Sequence, residues 1–230
     1  GSSARFLLRT GATSILLDRG GVCGVDTDRG AIAARIVVDA AGPFAARVAK
    51  LAGVNLPIET VRRQKVVTAA HGRVPQSAPL TIDVDSGAYW RPEAGGALFG
   101  WVDPDEPPGE PAEELPTDWE FPAICMEKMT RLTPFWKEVI TELKSTDIHL
   151  SAGQYSYTPD DQPLLGPVPE VASFHLNCGY WAGVMLSPQA GRWVADMITG
   201  QMRPEENPLR LSRYPEGVAV TGSSILRGRH

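Results

Sequence analysis

Residues 155–199 decide the fold: YSYTPDDQPLLGPVPEVASFHLNCGYWAGVMLSPQAGRWVADMIT. The pattern predicts a polar turn, a buried strand that ends in glycines, and a helix opened by Ser187-Pro188. Backbone N–H groups at a helix start have no partner within the helix, and the helix dipole adds positive potential there. We therefore expect this strand-to-helix junction to favour a ligand that carries negative charge.

Length and composition are those of an ordinary globular protein. The chain has 230 residues, of which 43% are apolar and 21% charged, enough for one large domain or two small ones. A formal net charge of −5 without a basic stripe argues against a nucleic-acid partner. Apolar runs such as Ile36–Ala41 are far too short to cross a bilayer, so we expect no membrane span.

Cysteine spacing and the start of the chain bear on the cellular compartment. Cys23, Cys125 and Cys178 lie far apart without a CxxC pair, which predicts reduced thiols, no disulfide framework and no metal site. The opening Gly1-Ser2-Ser3 is not typical of a signal peptide. Together these features predict a cytoplasmic location.

Residue periodicity predicts a mixed α/β protein with α+β character, in which a β-rich segment interrupts another domain. In the first part we predict a helix at Ala4–Thr10, strands at Thr13–Asp18, Gly21–Asp26 and Ala31–Val38, and a helix from Phe44 to Ala52 closed by Gly53. In the middle we predict strands at Ile58–Thr68 and Leu80–Val84, a hairpin of Gly87–Trp90 with Ala97–Trp101, a loop over Asp103–Pro116, and a helical stretch Met126–Leu143 interrupted at Pro134. From His149 the pattern returns to strand, turn, strand and helix, with a polar tail after Gly217.

A second strand-to-helix junction lies in residues 36–43, IVVDAAGP. A buried strand runs directly into small residues, so a ligand can approach the backbone closely at Ala41-Gly42. On spacing alone, the same pattern is also that of a compact turn in any α/β domain.

Two long runs of the chain resemble one family of flavoenzymes. Gly20–Ile58, GGVCGVDTDRGAIAARIVVDAAGPFAARVAKLAGVNLPI, resembles the second half of the FAD domain in the D-amino-acid oxidase superfamily, in its sarcosine oxidase, glycine oxidase and dimethylglycine dehydrogenase branch. Tyr157–Gly200 is similar to the C-terminal segment with which that family contacts its flavin. The resemblance covers roughly residues 4–213. It implies a partial FAD-binding domain with an inserted antiparallel β-rich substrate domain.

The resemblance also implies how the chain divides. Residues 1–56 correspond to the C-terminal half of the FAD-binding domain, and residues 57–148 to the substrate-binding β-rich domain. Residues 149–216 return to the FAD-binding domain, and 217–230 form the tail.

Candidate cofactor residues follow from the same resemblance. Gly179, Gly183 and Ser187 would face the N1/C2=O edge of the flavin, where the reduced ring carries negative charge that a helix start favours. The full predicted FAD-contacting set is Ala41, Gly42, Gly153, Gly179, Gly183, Val184, Met185 and Ser187. The alternative for Ser187 is that it only caps a packing helix.

Candidate substrate residues are fewer. A carboxylate substrate needs a cation, ideally arginine, and we predict Arg63 and Arg91 for this role, together with Tyr89. Tyr155 and Trp181 are predicted at the catalytic centre, where they would form an apolar lid over the substrate's methyl groups together with Tyr89. The alternatives are a solvated sheet edge for the arginines and simple core packing for the aromatic residues.

Three departures from the family pattern limit the prediction. The GxGxxG motif that holds the FAD pyrophosphate is absent, so we expect a C-terminal part that binds FAD weakly alone and needs a GxGxxG-bearing N-terminal segment or subunit. Gly153 occupies the place of the cysteine that some members link to FAD. Leu98 occupies the place of a lysine that promotes reaction with oxygen, which favours a dehydrogenase.

The resemblance therefore implies part of an FAD-dependent oxidoreductase. Such an enzyme would oxidise the C–N bond of a small amine or amino acid, of the sarcosine, glycine or D-amino-acid type, by hydride transfer to FAD. The alternative is a non-catalytic fragment or subunit that forms a flavin site only with a partner chain supplying the dinucleotide-binding motif.

Overall fold

A computed structural model describes residues 4–218 and 220. The chain forms two compact units. The first comprises the described chain through Glu59 and again from Ser156, and the second comprises Thr60–Tyr155. This division does not test the FAD-binding and substrate-binding roles assigned to the segments from the sequence, and those roles stay a prediction. Most of the predicted tail, residues 219 and 221–230, lies outside the described residues.

The helices and strands follow one another in chain order. The strands are β1 (Ala12–Asp18), β2 (Gly21–Thr27), β3 (Ile32–Ala33), β4 (Val37–Asp39), β5 (Glu59–Thr68), β6 (Thr81–Ile82), β7 (Ala88–Glu93), β8 (Gly96–Trp101), β9 (Pro108–Gly109), β10 (Ile148–Tyr157), β11 (Leu164–Pro167) and β12 (Phe174–Cys178). The α-helices are α1 (Ala45–Leu51), α2 (Glu120–Leu132), α3 (Trp136–Glu142) and α4 (Gly183–Ile198), and short 3-10 helices lie at Gly42–Phe44, Ser145–Asp147, Pro204–Glu206 and Leu211–Arg213.

The first unit contains two three-stranded sheets, in the orders β1-β2-β3 and β11-β12-β4. β12 runs antiparallel to β11 but parallel to β4, with Phe174 opposite Val37 and Leu176 opposite Asp39. Ala45 and Ala49 of α1 are buried in the core that also contains β12. β11 also packs against α4, through a second buried cluster that contains Leu165, Ala190 and Val194.

The second unit is built on a sheet in the order β10-β5-β8-β7-β6, with β9 paired to β5. Ala94 and Gly95 both have positive φ and join β7 to β8, which matches the tight hairpin turns that follow the right-handed strand twist. Trp136, the first residue of α3, packs edge to face against Trp90 of β7 and Phe99 of β8, and these rings form the aromatic core of this unit.

The predicted mixed α/β class and the antiparallel middle segment are confirmed. Two predicted elements are wrong. Residues 4–10 are not helical, because a segment this short does not offset the cost of helix nucleation and its apolar Phe6 and Leu8 stay exposed. The strand predicted at Ala31–Val38 is two strands, since β3 pairs with β2 whereas β4 pairs with β12 in the other sheet.

The helical stretch predicted at Met126–Leu143 begins earlier in the structure than predicted. It is interrupted near Pro134 as predicted, but α2 begins at Glu120, six residues before Met126. The predicted loop over Asp103–Pro116 also contains the short strand β9. Across the described residues, no helix combines the length and apolar character that a bilayer crossing demands.

Candidate functional site

The carboxyl ends of β4 and β12 lie side by side. The two strands are parallel neighbours, so the turns that follow them emerge at the same edge of the sheet. In open α/β sheets, ligands bind in the space outside such strand ends. We call the surface formed here by residues 39–42 and 178–186 the crevice.

Gly42 opens the β4 side of the crevice. Its φ is +58°, in the left-handed region that favours glycine, and a Cβ added there would meet no atom within 4 Å. The preceding turn is held by a hydrogen bond from the Ala41 N–H to Asp39 Oδ1, at 3.1 Å. The backbone at Ala41-Gly42 is therefore open to close approach, as predicted for a strand-to-helix junction.

Gly179 begins the turn on the β12 side. Its φ is +76°, and a Cβ would lie 2.9 Å from Thr158 Cγ2. Both the backbone conformation and the close approach therefore require glycine here. Gly179 packs against the turn that contains Thr158, so the start and the middle of the 155–199 stretch lie together.

Two hydrogen bonds hold the loop that leads from β12 to α4. The Ser156 N–H donates to the Tyr180 carbonyl at 3.2 Å. The indole N–H of Trp181 donates to the Asp161 carbonyl at 3.1 Å. Trp181, predicted at the catalytic centre, thus anchors the crevice loop to the turn after β10 through its polar edge.

The predicted start of the last helix is wrong. α4 begins at Gly183, four residues before Ser187, and Pro188 lies inside the helix. Pro188 has no N–H for the Val184 carbonyl four residues earlier. The hydroxyl of Ser187 donates to that carbonyl instead, at 3.0 Å. This local bond lets the helix continue through a residue that usually marks a helix start.

The first turn of α4 faces the crevice with free donors and apolar side chains. Ala182, the N-cap residue, makes no side-chain capping bond. The N–H groups of the first helical positions therefore have no intrahelical partner. The side chains of Val184 and Met185 are 91% and 71% exposed, which is unusual for large apolar residues. This turn combines an anion-favouring helix end with an uncovered apolar surface.

Asp39 lies at the end of β4 and is only 2% exposed. Among the described residues, its Oδ2 is buried and has no hydrogen-bond partner. Burial raises the pKa of Asp39 to about 6, against a smaller lowering by the Ala41 N–H. Cys178, at the end of β12, has its own thiol pKa raised above the usual range by burial and then by the Asp39 carboxylate.

Asp160 is a second buried carboxylate, and sequence reasoning missed its partner Arg213. The fully buried Arg213 guanidinium donates to both oxygens of Asp160 at 2.8 Å, and the Tyr214 hydroxyl donates at 2.8 Å. Burial favours a high pKa for Asp160, but the hydrogen bonds and charge of Arg213, with the Tyr214 bond, outweigh it and hold the pKa well below its usual range. No motif spacing points to Arg213, because 53 residues separate it from Asp160.

The second unit brings three predicted residues into electrostatic contact. Burial raises the pKa of Tyr89 above its usual range, Tyr155 raises it further, and Arg63 lowers it. Tyr89 lies over Gly100, where a Cβ would be 2.5 Å from the phenol oxygen. Arg63 Nη1 donates to the Asp103 carbonyl at 3.0 Å.

Arg91 and Gly153 have different surroundings. Arg91 is about half exposed and forms an ion pair with Glu93 at 2.6 Å. It lies opposite Leu98 in the β7–β8 hairpin. Gly153 is exposed on β10, and a Cβ there would meet no atom within 4 Å.

Comparison with known proteins places these features in a family. The model of the family described as "DAO: FAD dependent oxidoreductase" matches residues 2–197. The human mitochondrial sarcosine dehydrogenase is 31% identical over 193 residues, which are 81% of this chain and 20% of that protein. The mitochondrial dimethylglycine dehydrogenase of Rattus norvegicus is 28% identical over 195 residues, 77% of this chain and 22% of that protein.

A solved structure gives the same result for the fold. The chain is similar to L-proline dehydrogenase from P. horikoshii, with a TM-score of 0.79 and 26% identity, over 94% of this chain and 56% of that one. The chain thus spans about a fifth of the length of the curated relatives and about half of the solved one. The resemblance inferred from Gly20–Ile58 and Tyr157–Gly200 is confirmed.

Proposed function

This chain belongs to the DAO family of FAD-dependent oxidoreductases, and we propose that it supplies the flavin-facing and substrate-facing parts of an enzyme that oxidises the C–N bond of a small amine or amino acid. The observation that carries the proposal is the crevice, where two parallel strand ends meet beside an uncapped helix start. Bound FAD would supply the redox chemistry by accepting a hydride equivalent. The residues of this chain bind, orient and shield the reacting groups.

The crevice fits part of FAD. Gly42 leaves open space above the backbone, and the exposed Val184 and Met185 offer an apolar surface to a ring. The first N–H groups of α4 favour negative charge. The pyrophosphate, however, has no cradle in this sequence, because no two glycines are separated by a single residue and GxGxxG is therefore impossible.

Within this proposal the residues take distinct roles. Ala41 and Gly42 line one wall of the crevice, and Gly179 forms the turn of the other. The N–H groups of Gly183, Val184 and Met185 would stabilise negative charge on the ligand. Ser187 supports the helix through the Val184 carbonyl. We keep Gly153 as a cofactor contact only by resemblance.

Substrate binding is proposed for the second unit. Arg63, Tyr89 and Tyr155 interact electrostatically and offer a cation with aromatic surface, which suits a small carboxylated amine. Arg63 is the arginine whose charge acts on Tyr89, whereas Arg91 is paired with Glu93, so we give Arg91 the smaller part. The relatives named sarcosine, dimethylglycine and L-proline dehydrogenase support a substrate of this class and an acceptor other than oxygen.

A GxGxxG-bearing segment is the partner that this proposal requires. Among the described strands, β4 pairs only with β12, and its Val38 is partly exposed. A parallel strand could therefore extend the sheet at the open edge of β4. The same open edge favours the second candidate function, a non-catalytic subunit that completes a flavin site with another chain. The cytoplasmic location stays a prediction, and the two curated relatives are named as mitochondrial proteins.

Titration with FAD tests the proposal. The chain is titrated alone and together with a separately produced GxGxxG-bearing segment of the DAO family, and binding is followed by flavin absorbance and calorimetry. We expect weak binding alone and tight stoichiometric binding with the segment, followed by flavin bleaching on addition of sarcosine, dimethylglycine or proline. Tight binding without bleaching by any amine would favour the non-catalytic subunit. Absence of binding in both preparations would contradict the flavin site.

A further inference from the structure

The carboxyl group of Asp39 is fixed at the strand end of the crevice. Oδ1 accepts the Ala41 N–H, which ties the group to the turn that leads to Gly42. Oδ2 is left without a hydrogen-bond partner among the described residues, although the whole side chain is 98% enclosed by the protein. A buried carboxylate oxygen without a hydrogen-bond partner destabilises the folded chain, because it has lost its hydration and gained nothing in return. An unpaired oxygen of this kind, on a residue that is bonded to the turn at Ala41-Gly42, indicates a missing ligand group.

The elements packed against β4 hold few groups that could supply the partner. Their titratable and charged residues are Cys23 and Asp26 on β2, Arg47 and Lys50 on α1, and His175 and Cys178 on β12. Cys178 ends β12 near Asp39, whose carboxylate contributes to the raised pKa of the Cys178 thiol, so this thiol is neutral at ordinary pH. Asp160 shows the contrast, since its two oxygens are filled by Arg213 and Tyr214.

We propose that Asp39 binds the cofactor, with Oδ2 accepting a hydrogen bond from an O–H or N–H group of FAD in the crevice. This proposal rests on the flavin site proposed above. An ionised carboxylate is an acceptor only, so its partner is a donor. FAD carries hydroxyl and N–H donors but no cation. Because Oδ2 is closed to solvent in this structure, the Asp39 side chain or the turn at Ala41-Gly42 shifts when the donor enters.

Asp39→Asn is the most informative variant, because it replaces one hydrogen-bond acceptor by a donor and changes little else. The asparagine oxygen can keep the Ala41 N–H bond, and its amide nitrogen then lies where Oδ2 was, a donor facing a donor. The variant also removes a buried charge, so at pH 7 we expect it to be at least as stable as the wild type. Lost affinity then does not report lost folding. Asp18→Asn is the matched control, since Asp18 is exposed at the end of β1.

The measurement is the FAD dissociation constant, by calorimetry, at pH 5, 6 and 7 for the chain with its GxGxxG-bearing segment. A hydrogen bond to a charged group supports roughly tenfold to hundredfold tighter binding, so D39N should bind that much more weakly at pH 7. Wild-type affinity should fall about tenfold from pH 7 to pH 5 as the carboxylate takes up a proton. D39N should lack this pH dependence, and D18N should keep it.

Each outcome decides the proposal. Equal affinity and equal pH dependence of wild type and D39N would overturn it and assign Oδ2 to an internal water. Tighter binding by D39N would overturn it as well, since the ligand group would then be an acceptor. If D39N weakens association with the GxGxxG-bearing segment in the absence of FAD by the same factor, the donor belongs to the segment and not to FAD. Failure of the wild type to bind FAD would instead remove the proposed function itself.

Discussion

Asp160 and Asp39 are buried carboxylates of the same compact unit, yet their surroundings are opposite. Asp160 receives two bonds from the Arg213 guanidinium and one from the Tyr214 hydroxyl, and its pKa lies well below the usual range. Asp39 receives one backbone bond on one oxygen, and burial raises its pKa to about 6. Both oxygens of Asp160 therefore have hydrogen-bond partners, whereas only one oxygen of Asp39 has one.

The different surroundings of the two carboxylates suggest a structural role for Asp160 and a ligand-binding role for Asp39. The closed cluster around Asp160 ties the turn after β10 to the C-terminal segment that contains Arg213 and Tyr214. Asp39 lies at the end of β4, beside the parallel strand β12 whose loop leads to α4, and ligands bind outside such strand ends in open α/β sheets. If this comparison is right, changes at Asp160 act mainly on folding, whereas changes at Asp39 act on ligand binding and pH dependence.

The largest effect is expected from Arg213→Met. The change leaves Asp160 buried without its cation, which costs about 3–5 kcal/mol of unfolding free energy. Urea unfolding at pH 7 measures it. Arg192→Met is the matched control, because Arg192 forms only an exposed ion pair with Asp196 on α4 and should change stability by less than about 0.5 kcal/mol. A loss below about 1 kcal/mol for Arg213→Met would show that the buried Asp160 does not depend on the charge of Arg213.

The next effect is the pH dependence of stability at Asp39. Because its folded pKa is raised to about 6, wild-type stability relative to Asp39→Asn is greatest below about pH 4 and is lost as pH rises through 6. The shift corresponds to a difference on the order of 3 kcal/mol between these limits. Unfolding free energies of both proteins at pH 4.5 and pH 7.5 test it. A constant difference across this range would mean that the pKa of Asp39 is not raised by folding, because the folded and unfolded states would then bind the same number of protons.

Asp160 should show the opposite sign. Its folded pKa is lowered, so its stabilising contribution is present above the ordinary carboxyl range and is lost as the pH falls into and below that range. The stability gap between wild type and Asp160→Asn should therefore narrow on acidification, whereas the Asp39→Asn comparison moves the other way. Parallel pH series on the two variants make the contrast direct, and equal slopes would contradict it.

Alanine substitutions at Gly179 and Gly42 should lower stability by intermediate amounts. Comparing them separates the cost of a close contact from the cost of a positive φ. Gly179→Ala has both a positive φ and a contact at 2.9 Å with Thr158, and should cost about 2 kcal/mol or more. Gly42→Ala has a positive φ but open space, and should cost only about 1 kcal/mol. Thermal unfolding of both variants checks the order. Equal losses would mean that the turn beside Thr158 relaxes freely.

The smallest effect is expected from Ser187→Ala. Only the bond from its hydroxyl to the Val184 carbonyl is lost, at an exposed helix position, which predicts a change of about 0.5 kcal/mol or less. FAD affinity should be unchanged if the hydroxyl serves the helix. A clear loss of affinity would restore Ser187 as a direct cofactor contact.

Local pattern was sufficient for much of the fold. The β1–β2 hairpin, the helix closed by Gly53 and the strand-to-helix junctions at Gly42 and Gly179 follow from short-range periodicity and glycine positions. The start of α4 did not, because Pro188 is tolerated inside the helix once Ser187 takes over the bond that proline cannot make.

The sequence by itself was enough to reveal the resemblance of Gly20–Ile58 and Tyr157–Gly200 to a flavoenzyme family, because whole motifs of that family match along the chain. Only the tertiary structure decided that β4 leaves the sheet of β3 to lie parallel to β12, and that Arg213 closes on Asp160 while Asp39 keeps an unpaired oxygen. The physical reason is that strand pairing and buried charge depend on partners far away in sequence. Their energies come from burial and from the full set of neighbours, neither of which a local pattern contains.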